Sequence, residues 1–234
     1  PGTFEKVIRL FEEHPSAGML HGKSILFGKG KKDLIKGAEP HDLHLRYFSV
    51  IPFPQPSSFF TKTAIAHTGL LDESLHFGMD YDLLIRIAGQ FDIIRTDEVL
   101  SKYRLHSSSK TVSQLPRFAG EWARVFSRFL NSTDIPASTL SLLSENGFYF
   151  PNEPSIRIKH QLLKEDIDLI VTYFLFYQLI IYYEVLDMQM VKHILEMIHT
   201  LSPSFYSKMN LKRIAVRSRF LPPVLIQLFR AIAR

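Results

Sequence analysis

The sequence predicts an α/β fold over residues 1–112, followed by an all-helical region over 113–234. Three observations predict it. Up to about residue 112, strand-like and short helical segments alternate, punctuated by Gly and Pro. From Gln114 onward the apolar residues recur mainly at helical spacing. The composition, 46% hydrophobic and 22% charged with no cysteine, is that of a globular chain that builds its core without disulfides. Lack of Cys also excludes thiolate catalysis and Cys-ligated zinc, and it accords with a reducing, cytoplasmic setting.

Taken in order, Phe4, Val7, Ile8 and Phe11 mark a helix over residues 3–14 that Pro15 stops. Ala17 to Phe27 reads as a strand, and the Gly- and Lys-rich stretch from Gly28 to His44 as a loop. Pro52, Pro54 and Pro56 break the chain before a strand over Ser57 to Phe60. A helix over Lys62 to His67 ends at Gly69, and a second, with Leu83, Leu84 and Ile87 inward, ends at Gly89. Phe91 to Ile94 and Val99 to Leu105 read as two last strands. Beyond them Gln114 to Asn131 is helical, Pro136 to Pro154 is broken, and Ile156 to Ile198 reads as almost wholly helical.

Within the last stretch, Ile167 to Tyr183 has the apolarity of a membrane span but only about seventeen residues, interrupted by Asp168 and Gln178. A buried bundle helix is the favoured reading. The net charge of +5 is uneven. Seven of the 28 Lys and Arg residues lie between Lys208 and Arg234 with no acid among them, leaving 21 against 23 acids elsewhere. That pattern excludes a whole-protein nucleic-acid footprint. The tail mixes its basic residues with Leu211, Ile214, Phe220, Leu225 and Phe229, and Pro222-Pro223 splits it. It reads either as a peripheral anchor on an anionic membrane or as a packed helix with a solvated basic face.

The chemistry-bearing run is Gly78-Met-Asp-Tyr-Asp-Leu-Leu-Ile-Arg86. Asp80 and Asp82 stand at a helix start, where a fixed carboxylate can take a proton from a hydroxyl. The plainer reading has Asp80 capping the helix and Asp82 forming an i,i+4 surface pair with Arg86. A hydrolytic metal site from His76, Asp80, Asp82 and His106 is a weaker possibility, because no two histidines share a helix face at ligand spacing.

Five segments in one order shift the weight toward chemistry: Gln55-Pro-Ser-Ser-Phe-Phe60, Gly69-Leu-Leu-Asp-Glu73, Met79 to Arg86, Tyr103-Arg104 with His106, and Ser109-Lys-Thr111. That order and spacing resemble the second half of a family 2 glycosyltransferase, an enzyme of GT-A fold that uses nucleotide-activated sugars. The opening Pro1-Gly-Thr-Phe4 helix resembles the segment just after that family's metal-binding Asp-x-Asp strand. The likeness covers residues 1–112 and implies the acceptor-side part of the domain. The chain is expected to be a fragment lacking the nucleotide-binding βαβ half and inactive alone.

The resemblance makes Asp80 the general base of an inverting transfer, with Met79 where Glu is common in the family. Ser57, Ser58, Phe59, Asp82, Arg86, Arg104 and Lys110 align with donor- or acceptor-binding segments. His106 aligns with a histidine that in some relatives contacts metal or diphosphate. Arg104 either faces the diphosphate or pairs with the Asp72-Glu73 turn. The implied partners are a nucleotide-sugar donor, a divalent metal (Mg or Mn) and a glycan or other hydroxyl acceptor, in cell-surface polysaccharide or glycan synthesis at the inner face of the membrane. The alternative is a non-catalytic helical interaction or membrane-surface module on a degenerate α/β scaffold.

Overall fold

The structure, a computed structural model, describes residues 2–28, 33–104, 115–159 and 161–220. It is mixed α/β, with a small four-stranded mixed sheet and ten α-helices among these residues. Helix α1 (Thr3–Glu13) leads into the long strand β1 (Ala17–Phe27), the centre of the sheet. One edge of β1 pairs in parallel with β4 (Asp92–Arg104). Its other edge pairs antiparallel with β3 (Ser58–Phe60) through residues 19–21 and with β2 (Leu34–Lys36) through residues 24–26.

Between these strands lie α2 (Leu43–Arg46), a 3-10 turn over Gln55–Ser57, α3 (Lys62–Thr68) and α4 (Met79–Ala88). The helical part comprises α5 (Leu115–Leu130), α6 (Ala137–Glu145), α7 (Lys164–Glu184), α8 (Met188–Leu201), α9 (Pro203–Lys208) and α10 (Lys212–Phe220).

Local physics accounts for the ends of α3 and α4. Thr61 caps α3, its side chain accepting from the Ala64 amide at 3.1 Å. Gly69 ends that helix at φ 85°, a left-handed angle that favours glycine. Gly89 is needed for a different reason. Its φ is an ordinary −69°, but a Cβ there would lie 2.2 Å from the Arg157 carbonyl oxygen. The Lys159 amide donates to the Gly89 carbonyl at 2.6 Å, so the 157–159 segment crosses directly over the end of α4.

Three readings need correction. The two strands expected around Thr96 are one strand, β4, irregular in register opposite His21 to Ser24. Thr96, Asp97 and Glu98 resemble a turn in sequence but lie in this irregular stretch, where an Arg95–Asp97 ion pair and a Glu98 amide to Thr96 hydroxyl bond serve local polar groups. The expected loop 28–44 contains β2 and the start of α2. Residues 156–159 and 161–163 are not helical, and the chain turns at Leu186 (φ 64°) to divide the long helical reading into α7 and α8.

The change of character near residue 113 does not divide the packing. The largest core joins Leu45, Phe48, Leu75, Tyr81 and Ile85 to Phe126, Phe129, Phe174, Leu175 and Ile194. Phe126 stacks on Phe174 at 3.9 Å between ring centres, and Tyr81 donates to the Phe48 carbonyl at 2.6 Å. A second core lies between the sheet and α4, where Met19 meets Leu83, Leu84 and Ile87. Helix α4 therefore buries both faces: the three residues expected inward turn to one core, and Tyr81 and Ile85 to the other.

Helix α7 is the one described helix long and apolar enough to cross a membrane, and half of its apolar window is buried within the protein. Ile170, Phe174, Leu175 and Leu179 are fully buried, and Gln178 reaches the Ala119 carbonyl at 3.4 Å. Burial of these side chains in the main core is the role of a bundle helix.

Candidate functional site

Helix α4 begins at Gly78, which has no side chain to cap it. Asp80 stands in the first turn, half-buried, with Oδ1 accepting from the Tyr81 amide at 2.9 Å. No other described residue bonds its Oδ2. Burial raises the Asp80 pKa above the ordinary carboxylate value, against the lowering effect of backbone hydrogen bonds from Tyr81 and Asp80 itself. The carboxylate thus partly plays the capping role, but no other side chain engages it and it binds a proton more readily than a solvated aspartate.

Asp82 is different in kind. It is fully buried, and both oxygens are engaged by guanidinium groups: Oδ1 by Arg128 Nη1 at 2.7 Å, and Oδ2 by Arg86 Nε at 2.9 Å and Nη2 at 2.7 Å. The surface ion pair expected between Asp82 and Arg86 is therefore an interior one.

Arg86 spends its remaining donors on the end of α3. Nη1 donates to the Thr68 carbonyl and, at 3.2 Å, to that of Gly69, while Nη2 reaches Leu70 O at 2.9 Å. Four hydrogen bonds and one ion-pair contact thus engage all three nitrogens of the guanidinium. Asp82 is fully buried and Arg86 is committed to protein groups. They fix the 68–70 turn against α4.

The partners that sequence reasoning missed come from α5. Arg128 is buried and also binds Asp72 Oδ2 at 2.8 Å and Glu153 Oε2 at 3.1 Å. Burial alone would lower its pKa, but these three acids outweigh burial and raise it. Asp72 in turn falls to about 2, held there by the Ser74 hydroxyl and by Arg128. Near the other end of α5, Glu121 Oε2 accepts from the amides of Phe77 at 2.6 Å and Gly78 at 2.9 Å. Trp122 Nε1 donates to the Phe77 carbonyl at 3.2 Å. The one signal available in sequence was Arg128 itself, a charge inside the apolar run Val125 to Leu130.

The remaining expected residues are scattered. Ser57 is buried, and its hydroxyl bonds the carbonyls of Gly22 at 2.8 Å and Pro54 at 2.7 Å. The Ser58 hydroxyl donates to Gln55 O at 2.7 Å. Both serve the backbone. Phe59 is half-buried, edge-on to Phe4 at 6.2 Å. Arg104 is exposed at the end of β4, and Asp72, an expected partner, is bound by Arg128 instead. Lys110 and His106 lie outside the described residues.

Among the described residues no three His, Asp or Glu side chains converge as metal ligands. His106, the candidate ligand, lies outside them, and the chemistry proposed for Asp80 has no step through a metal ion. The hydrolytic metal site loses Asp82 to its two arginines. Clefts among the described residues lie elsewhere: one of about 920 Å³ lies between α8, α9 and α10 and is lined by Lys192, His199, Tyr206 and Arg219 among others. No protein-family model and no curated protein sequence matches the chain.

Proposed function

We propose that the protein is a glycosyltransferase of family 2 type, transferring a sugar from a nucleotide-sugar donor to a hydroxyl acceptor with inversion, in the synthesis of a cell-surface polysaccharide or other glycan. In this reading residues 1–112 are the acceptor side of a GT-A domain. The observation that carries it is the division of labour between two carboxylates at one helix mouth. Asp82 is neutralised by two guanidinium groups and inaccessible, whereas Asp80 has an oxygen that no other described residue bonds, partial exposure and a raised affinity for protons.

The chemistry rests on that arrangement. As the acceptor hydroxyl attacks the anomeric carbon, its proton passes to Asp80 Oδ2. The bond from that carbon to the diphosphate oxygen breaks, and the electron pair leaves with the nucleoside diphosphate. A base whose pKa is raised toward the working pH accepts the proton with a larger driving force. Burial supplies that shift, and the rigid α4 mouth supplies the geometry.

Transfer from a panel of nucleotide sugars, with Mg or Mn, to hydroxyl acceptors by the full-length protein tests the reading. Release of nucleoside diphosphate that requires both the acceptor and Asp80 supports it. Acceptor-dependent release that is independent of Asp80 overturns the choice of base, and binding of partners without any transfer favours the non-catalytic module instead.

A further inference from the structure

Helix α4 starts with a glycine that cannot cap it, yet the amides of that glycine and of Phe77 before it are satisfied from a helix some 43 residues away. The Glu121 carboxylate takes both the Phe77 and Gly78 N–H groups, and Trp122 of the same helix takes the Phe77 carbonyl. The approach is close: a Cβ on Gly78 would lie 3.3 Å from Val125 and 3.4 Å from Glu121. Asp80 is two residues further on. Resting on the glycosyltransferase reading, we propose that Glu121 is a positioning residue for Asp80, capping α4 from α5 so that the aspartate is not consumed as the helix cap.

A carboxylate in the first turn of a helix is ordinarily drawn onto the free N–H groups there. Asp80 already gives Oδ1 to the Tyr81 amide. With Glu121 present, the donors at Phe77 and Gly78 are taken, and Oδ2 stays available. Without it those two N–H groups lose the Glu121 acceptor, and Asp80, two and three residues further along the chain, carries a carboxylate that can replace it. Its second oxygen then turns from acceptor proton to backbone. Trp122 and Val125 hold the same loop by contacts that do not depend on charge, so the fold has a second hold on the segment when Glu121 is changed.

The test uses the full-length protein with Glu121→Ala, Glu121→Gln, Asp80→Asn and the Glu121→Ala/Asp80→Asn double variant. Hydrogen exchange of the 77–81 amides reads the clamp without reference to activity, and Glu121→Ala should speed it by about tenfold or more as the local opening becomes easier. In transfer assays Glu121→Ala should lower kcat by roughly ten- to a hundredfold, the scale of a small misplacement of a reacting group, with KM little changed. Glu121→Gln keeps an accepting oxygen and should restore most of that loss. In the Asp80→Asn background the Glu121→Ala effect should disappear.

Normal kcat in Glu121→Ala, an undiminished effect without Asp80, or unchanged exchange at residues 77–81 each overturns the positioning role. Absence of transfer by the wild type is a separate failure. It removes the functional reading and this role with it, even where the exchange data show the clamp.

Discussion

Arg128 Nη1 donates to Asp82 Oδ1 over 2.7 Å, joining α5 to α4 across 46 residues of sequence, with both side chains buried. The same guanidinium reaches Asp72 and Glu153. Three acids on three segments thus share one buried cation, supplemented by Arg86 on Asp82 and by Arg124 on Glu153 at 2.6 Å. The cost of burying such charges is met only while the set is complete.

Arg128→Met should therefore destabilise the protein by about 3–5 kcal/mol, the range for removing one member of a buried ion cluster. Most of that loss is the exposed need of Asp82 and Glu153 for a counter-charge. Arg128→Lys should recover only part of it, because an ammonium cannot span three carboxylates as a planar fork does. Denaturant titration of the three proteins measures both effects. A loss below about 1 kcal/mol in Arg128→Met would mean the cluster is energetically neutral.

Asp80 and Asp82 should separate cleanly when each is changed to Asn. Asp80→Asn should reduce transfer by roughly a hundredfold or more, with donor binding and melting temperature little altered. Asp82→Asn should lower the melting temperature, because Arg86 and Arg128 lose a shared anion inside the protein. Paired measurements of turnover and Tm decide the assignment. If Asp82→Asn abolishes turnover at normal stability while Asp80→Asn remains active, the base is Asp82.

His21 should make the protein acid-sensitive before the carboxylates do. It is fully buried in β1, stacked on Phe53 at 4.2 Å, and its Nε2 lies 2.7 Å from the Tyr47 hydroxyl. Burial, with a smaller contribution from Arg95, lowers its pKa to about 3. The unfolded chain takes up that proton near pH 6.5 and the folded one does not, so stability is complete above 6.5 and declines as pH falls toward 3. Across that window the slope approaches about 1.4 kcal/mol per pH unit for one proton. Denaturant titrations between about pH 7 and 5 should show this slope in the wild type and its loss in His21→Gln. An unchanged slope in that variant would assign the acid sensitivity to another group.

How much of this was legible in sequence depends on the range of each interaction. Helix α3 with Thr61 and Gly69, α4 from Met79, and strand β1 could be read from caps, glycines and periodicity, all of which act within a few residues. The splitting of the long helix at Leu186 was missed because no Gly or Pro marks it. Its local sign was Asp187, whose side chain caps α8 by accepting from the Met190 amide at 3.0 Å.

The site divides in the same way. Asp80 could be placed at a helix mouth from local pattern, but the sequence could not distinguish its environment from that of Asp82 two residues on. Arg128 and Glu121 make that distinction, from a helix whose docking depends on packing among Phe126, Phe129 and Phe174. No spacing rule encodes such a contact.

The C-terminal segment should bind anionic membranes reversibly. Helix α10 rests partly on the core through Ile214 and Ala215 and leaves Val216 48% and Phe220 70% exposed. Around them Lys212, Arg213, Arg217 and Arg219 are exposed, and among the described residues no acid pairs with them. Residues 221–234, outside the described ones, add Arg230 and Arg234 with further apolar residues. Each basic residue near an anionic leaflet contributes on the order of 1 kcal/mol, and the apolar side chains add burial at the headgroup level. Vesicle co-sedimentation should show binding to anionic lipid that weakens as salt rises and vanishes on neutral lipid. Arg213, Arg217 and Arg219 are all solvent-facing, so changing the three to Glu should abolish binding without unfolding the protein. Equal binding by that variant, or binding indifferent to lipid charge, would leave α10 as a packed helix with a solvated basic face.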